Sequence, residues 1–206
     1  TFSTRDELTH LLNVSAVELL LFDSRVLKQD FAAMLRDSVT KARAVQLGSV
    51  TDNDGPAPGF ESWTDFLASG KAVSREQVCA IAATINPDDT AAIFFSSGTT
   101  SLPKGIIHAH RAFCIQWWRW PRVFAMREPV RSWTGNGFFW SGNVSMTVGT
   151  AFSTGGAVIL QPAFNADDAL RVIEDEGVTC LLGRPHQWAR VQSAPRWAKA
   201  DLSALK

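Results

Sequence analysis

Five of the six residues from Ser96 to Ser101 carry hydroxyls, and the sixth is Gly98. Lys104 follows, bracketed by Pro103 and Gly105. Small residues let backbone N–H groups come close to phosphate oxygens, hydroxyls add hydrogen bonds, and a lysine supplies a point charge. The string Ser96, Ser97, Gly98, Thr99, Thr100, Ser101, Lys104 therefore suits a polyphosphate. The spacing is not that of a Walker loop, which needs Gly directly before Lys where this chain has Pro103. By composition alone the same string also describes an exposed Ser/Thr/Gly turn.

The elements around it must hold it still. Residues 90–95 form an apolar, strand-like run that feeds a loop over residues 96–105, and Ile106 and Ile107 restart a strand. Residues 109–120 read as a helix that Pro121 ends or kinks. Upstream, Thr4 and Glu7 have capping-box spacing before the stripe Leu8, Leu11 and Leu12. Residues 17–22 read as a buried strand, 25–38 as a helix, 42–50 as a strand, 51–59 as an exposed turn and 61–68 as a short helix. Asp52 and Asp54 lack calcium-loop spacing and read as turn formers. Downstream, 131–139 read as a strand, 142–152 as a helix and 157–160 as a strand. Asn165 caps a helix over 166–176, 178–182 read as a strand, and Pro185 opens another helix. Strands alternating with helices predict an α/β fold with a mostly parallel sheet flanked by helices.

Whole-chain properties narrow the classes. The 206 residues carry 20 basic and 20 acidic side chains, so net charge is +0. That balance speaks against a nucleic-acid binder or a polybasic membrane surface. No apolar run nears the ~20 residues of a spanning helix. The start at Thr1 is neither a signal peptide nor an initiation site and is read as the interior of something longer. Cys79, Cys114 and Cys180 are scattered and form no CxxC pair, so reduced, buried thiols in a cytoplasmic protein are expected. His108 and His110 read as structural and not as metal ligands, since no carboxylate or Cys partner stands nearby, and no metal-binding residue is predicted. Trp117, Trp118 and Trp120 read as core plus partner contact. Arg184, Arg190, Arg196 and Lys199 read as a solvated basic end.

The ordered string from Ser96 to Gly105 resembles the phosphate-binding signature of the adenylate-forming superfamily, whose common form is Ser/Thr-Ser-Gly-Thr-Thr-Gly-x-Pro-Lys-Gly. That superfamily includes acyl-CoA synthetases, luciferases and peptide-synthetase adenylation domains. Ser101 replaces the second Gly. The resemblance extends to Arg5-Asp6-Glu7-Leu8 and Leu12-Asn13-Val14-Ser15-Ala16, to Asp88-Asp89-Thr90-Ala91-Ala92-Ile93, and to Gly105-Ile106-Ile107-His108-Ala109-His110-Arg111. Phe138-Phe139-Trp140-Ser141-Gly142 sits where members carry an aromatic or His beside the acid pocket. The stretch from Phe164 to Val178 and then Gly183-Arg184-Pro185 looks like a further family segment.

The resemblance implies ATP-dependent activation of a carboxylic acid to an acyl-adenylate, followed by thioester formation with CoA. It implies Ser96, Ser97, Gly98, Thr99, Thr100, Ser101 and Lys104 as nucleotide contacts, with Thr99 and Lys104 nearest the chemistry and Mg²⁺ bridging the phosphates. Trp140, Ser141 and Gly183 are implied at the acid pocket. It also implies that the chain is part of a large N-terminal AMP-binding domain, with sub-lobes 1–85 and 86–206. The adenine, ribose and C-terminal lysine residues would lie downstream, so residues 1–206 alone are expected to be inactive. ATP, CoA and a small-molecule acid are the expected partners, with a homodimer as the expected assembly if there is one. A non-catalytic nucleotide-binding module and a peptide-synthetase adenylation domain remain the alternatives.

Overall fold

A computed structural model describes residues 4–26, 28–38, 41–48, 55–96, 102–126 and 129–206. It divides into two compact units, one of residues 1–86 with 95–107, the other of 87–94 with 108–206.

In the first unit α1 (Arg5–Ser15) starts where the spacing places it. The Thr4 hydroxyl accepts from Glu7 N–H, and the Glu7 carboxylate accepts from Thr4 N–H at 2.8 Å. Ala16, with φ 47°, ends the helix in the left-handed region. Three strands form a parallel sheet in the order β1 (Leu19–Asp23), β4 (Arg43–Leu47), β5 (Glu61–Ser62). The Arg43 guanidinium donates twice to the Glu61 carboxylate, at 2.6 Å each. Leu12, Phe22, Ala32 and Leu35 make the core between α1, β1 and α2 (Phe31–Arg36).

The helix predicted over 25–38 is shorter than that. Its first part is a small antiparallel hairpin, β2 (Arg25–Val26) with β3 (Gln29–Asp30). Asp30 then caps α2 by accepting from Ala33 N–H at 2.9 Å, so the helix cannot begin earlier. The helix predicted over 61–68 likewise starts late: residues 61 and 62 pair in the sheet, and the Ser62 hydroxyl caps α3 (Trp63–Ser69). A further helix, α4 (Arg75–Ala82), was not predicted, although Ser74 and Gln77 form a capping box. Of the turn expected over 51–59, residues 51–54 lie outside the described residues.

β6 (Thr90–Ser96) and β7 (Lys104–Ala109) pair as a two-stranded sheet. The predicted loop is thus narrower than 96–105, since Ser96 ends one strand and Lys104 begins the next. In the second unit α5 (His110–Val123) is fastened at its start. His110 N–H donates to Asp89 C=O, Arg111 N–H donates to Pro87 C=O, and the Arg111 side chain pairs with Asp88 at 2.7 Å. Pro121 does not end α5. It sits in the last turn, and the helix runs on to Val123.

The second sheet is parallel throughout, in the order β10 (Cys180–Leu182), β8 (Arg131–Thr134), β9 (Ala157–Ile159). β8 stops at Thr134, short of the predicted 139, because Gly135 and Gly137 take the chain out of the sheet. The segment after it is one helical run of three parts: α6 (Ser141–Asn143), a π turn (Val144–Val148) and α7 (Gly149–Ser153). Gly149 lies so close to the Trp117 ring that a Cβ would collide with it. Asn165 caps α8 (Ala166–Asp175) by accepting from Asp168 N–H, and Pro185 is the first residue of α9 (Pro185–Gln192).

The core of this unit gathers Trp133, Ala169, Leu170, Ile173, Val178 and Val191 between the sheet, α8 and α9. Chain order decides the rest. From β8 the chain crosses to β9 on one side, and from β9 it crosses back over β8 to β10 on the other. Right-handed crossovers running in opposite directions put the helical run 141–153 and α8 on opposite faces. α9 shares a face with α8, against which it packs.

Two expectations about side chains change. Cys79 and Cys114 are exposed, and only Cys180 is partly buried, where burial pushes its thiol pKa up. The basic end is not merely solvated: Arg196 pairs with Glu174 at 2.5 Å, Arg190 lies over the Phe164 ring, and Arg184 lies over the Trp140 ring. His108 packs edge-on against Phe94.

Leu170 is fully buried at the centre of the second core. Leu170→Ala should cost about 3 kcal/mol, read by chemical denaturation of the second unit's transition.

Candidate active site

The residues expected to contact a nucleotide fall in the first unit and those expected at an acid pocket in the second.

The hydroxyl-rich string spans the gap between paired strands. Ser96 is the last residue of β6 and Lys104, exposed, is the first of β7. Ser97, Gly98, Thr99, Thr100 and Ser101 lie outside the described residues. The downstream end of the string is held from α1: the His10 imidazole Nε2 lies 2.9 Å from the Pro103 carbonyl oxygen. That geometry requires the proton on Nε2, which then donates to the carbonyl. The residue directly before Lys104 is thereby tied to the helix that Thr4 and Glu7 cap. Sequence reading missed His10. Its partner is 93 residues away, so no local pattern marks it.

The second group forms at the carboxyl ends of β8 and β10, where open α/β sheets place ligands when neighbouring connections diverge to opposite faces. The exit of β8 carries Phe138, Phe139 and Trp140, all substantially exposed, with Trp140 at 48%. A cluster of exposed aromatics in a loop is more suited to a ligand or partner than to a core. The loop is held from within. Buried Asn143 donates through Nδ2 to the Gly137 carbonyl at 2.6 Å, while the Thr134 hydroxyl accepts from Asn136 N–H at 3.1 Å. Ser141 opens α6 directly after Trp140, and a π turn follows within the same helical run, a distortion often found beside functional sites.

From the other side, the exit of β10 brings Gly183 and Arg184. A Cβ on Gly183 would stand 2.7 Å from the Trp188 ring, so glycine lets this loop lie against α9. The Arg184 guanidinium stands 4.9 Å from the Trp140 ring centroid, a cation–π distance. The segment holding Gly183 thus comes next to Trp140 through Arg184. Arg184 is an addition to the expected set.

A separate cleft of about 530 Å³ opens beside β10, between the end of α5 and the π turn. It is lined by Trp120, Phe124, Met126, Met146, Cys180 and Leu182 among others, and by none of Trp140, Ser141 or Gly183. Burial pushes the Cys180 thiol pKa up, which disfavours the thiolate there. Among the described residues no three His, Cys, Asp or Glu side chains converge as metal ligands, and no helix is long and apolar enough to cross a membrane.

Over 205 residues the chain is 27% identical to a 3-[(3aS,4S,7aS)-7a-methyl-1,5-dioxo-octahydro-1H-inden-4-yl]propanoyl:CoA ligase of Rhodococcus jostii (strain RHA1), covering 98% of this chain and 40% of the relative. It is 30% identical over 169 residues to the medium-chain fatty-acid–CoA ligase of Escherichia coli (strain K12), covering 78% of this chain and 28% of the relative. The chain thus spans well under half the length of these relatives. The fold superposes on a crystal structure of the anthranilate CoA ligase AuaEII with a TM-score of 0.79 at 21% identity, covering 100% of this chain and 38% of that one. The family model described as AMP-binding enzyme matches residues 1–206, the whole chain. The chain belongs to the AMP-binding enzyme family, the adenylate-forming enzymes whose phosphate signature the string from Ser96 to Gly105 resembles.

Proposed function

We propose that the whole protein is an AMP-forming acid–thiol ligase, and that this chain supplies its phosphate grip and part of its acid pocket. The observation that carries the reading is the ordered string from Ser96 to Gly105 within a chain of the AMP-binding family. In the first step a substrate carboxylate oxygen attacks the α-phosphorus of ATP, the bond to the β-phosphate breaks, and pyrophosphate leaves with its electron pair. In the second a thiolate of CoA attacks the acyl carbon and AMP leaves. Neither step needs a covalent enzyme intermediate, so the protein contributes position and charge.

Ser96, Ser97, Thr99, Thr100 and Ser101 would hydrogen-bond the β- and γ-phosphates, Gly98 would give backbone access, and Lys104 would offset the charge gathering on the leaving pyrophosphate. The donor set fits a magnesium–ATP complex: hydroxyl and phosphate oxygens suit a hard cation, while lysine suits phosphate. Bound Mg²⁺ would neutralise phosphate charge. His10 would keep Pro103, and so Lys104, in place.

Trp140 would wall the acid pocket at the exit of β8, with Ser141 and Gly183 beside it. Its exposed ring, flanked by Phe138 and Phe139, suits the apolar body of an organic acid. The relatives named for a fused-ring propanoate and for medium-chain fatty acids support an acid with such a body. The reading takes 1–85 and 86–206 as two lobes of one AMP-binding domain, in a cytoplasmic enzyme. It also holds that the 206 residues by themselves do not turn over.

Three outcomes test it in acid-dependent ATP–pyrophosphate exchange. In the whole protein Lys104→Ala should lower kcat/KM for ATP roughly 10²-fold with little change in the acid's KM. Trp140→Ala should instead raise the acid's KM on the order of tenfold and leave the KM for ATP in place. Residues 1–206 alone should show no exchange. Wild-type kinetics in the first variant, or robust exchange by the short chain, would contradict the assignment.

A further inference from the structure

Gln187 lies in the first turn of α9 and is only 6% exposed. At a helix start this is an ordinary place for glutamine, and one of its bonds is ordinary: Oε1 accepts from Arg184 N–H at 2.8 Å. The other bond reaches across the sheet. Nε2 donates to the Gly135 carbonyl at 2.7 Å, a residue 52 positions earlier in the chain. Gly135 is the first residue beyond β8, and Arg184 follows β10 by two. One buried amide therefore joins the two strand exits, using its acceptor on one and its donor on the other. Contact at this join is close on every side. A Cβ on Gly135 would stand 2.9 Å from Gln187 Nε2 and 2.9 Å from the Phe164 ring.

The two exits it joins carry the acid-pocket residues. The β8 exit leads to Trp140 and Ser141, and the β10 exit carries Gly183 and Arg184, whose guanidinium covers the Trp140 ring. The segments leave the sheet toward opposite faces, so adjacency in the sheet alone does not fix the distance between them. We propose that Gln187 is a positioning residue for the acid pocket, setting the separation between the Trp140 loop and the Gly183–Arg184 loop through its paired hydrogen bonds to Gly135 and Arg184. The inference rests on the proposed ligase activity and adds the residue that sets which acids fit. Gln187 does not itself touch substrate. It acts through Trp140 and Arg184.

An amide is the side chain this role requires. A carboxylate can accept from Arg184 N–H but cannot donate to the Gly135 carbonyl, and two facing acceptors repel. An apolar side chain leaves both part-buried backbone groups without this partner. Gln187→Glu preserves size and half of the join, whereas Gln187→Ala removes it all.

The test uses the whole protein, with acetate, medium-chain, long-chain and aryl acids in ATP–pyrophosphate exchange. With the acid used best, Gln187→Glu and Gln187→Ala should raise the acid's KM roughly tenfold, since misplacing a pocket wall by a fraction of an ångström weakens positioning. The KM for ATP should stay within about twofold, because Gln187 makes neither of its bonds to β6 or β7, and the ratios of kcat/KM among the four acids should flatten. A purely structural glutamine would lower the melting temperature without changing those ratios. Gln187→Glu is nearly isosteric and keeps the test open if the alanine variant fails to fold. An unchanged acid KM and acid ranking in Gln187→Glu would overturn the inference while leaving the ligase reading intact, as would equal shifts in both KM values. Absence of acid-dependent exchange in the unsubstituted protein would overturn the ligase reading and this inference together.

Discussion

Parallel pairing of β8 with both β9 and β10 is the constraint on which the second unit depends. Parallel strands align their carboxyl ends, so the segments that leave them emerge along one edge. Because the chain goes from β8 to one neighbour and then crosses back to the other, the exits diverge toward opposite faces of the sheet. Trp133 secures the arrangement from below. It points from the middle of β8 into the cluster with Leu170, Ile173 and Val191, so the central strand cannot slide without emptying the core. Ser132 and Thr134 alternate to the opposite face, toward the helical run that follows Trp140.

Much of this was legible wherever a backbone end needed a particular side chain. The capping pairs at Thr4 and Asn165 and the proline at Pro185 mark helix starts because unpaired N–H groups demand an acceptor or a residue without a donor. The same logic was available at Ser74 and Gln77, and α4 follows it. The errors share another cause. Residues 25–30 have helical spacing, yet Asp30 is a better cap than a helix interior residue. The glycines at 135 and 137 ended a strand that hydrophobicity alone carried on to 139. Pro121 stays within α5 although it has no N–H for the Trp117 carbonyl, which accepts instead from the Ser153 hydroxyl at 2.9 Å. In the first two cases a short-range polar or steric demand prevailed over apolar periodicity, and at Pro121 a distant hydroxyl takes the place of the missing donor.

The site divides along the same line. The proposed phosphate string is readable in the sequence because the hydroxyls, glycine and lysine that a polyphosphate needs stand close together along the chain. The proposed acid pocket is readable only in part. Trp140 and Gly183 came from resemblance, while Arg184 read as surface. Gln187 and His10 carried no signal, since their telling bonds reach 52 and 93 residues along the chain.

That division has an energetic consequence for specificity. Trp140 is half exposed and Arg184 lies on the surface above it, so changing either removes little buried area and costs the fold little. Gln187 and Asn143 are buried, and each satisfies backbone groups that would otherwise be stranded. The side chains proposed to meet an acid can therefore vary at small cost, whereas Asn143 within its loop and Gln187 between the two exits cannot. Relatives about 30% identical to this chain bear names as different as a fused-ring propanoate ligase and a medium-chain fatty-acid ligase. In the proposed ligase, a variable rim on such a hydrogen-bonded frame would accommodate that range without moving the strands beneath it.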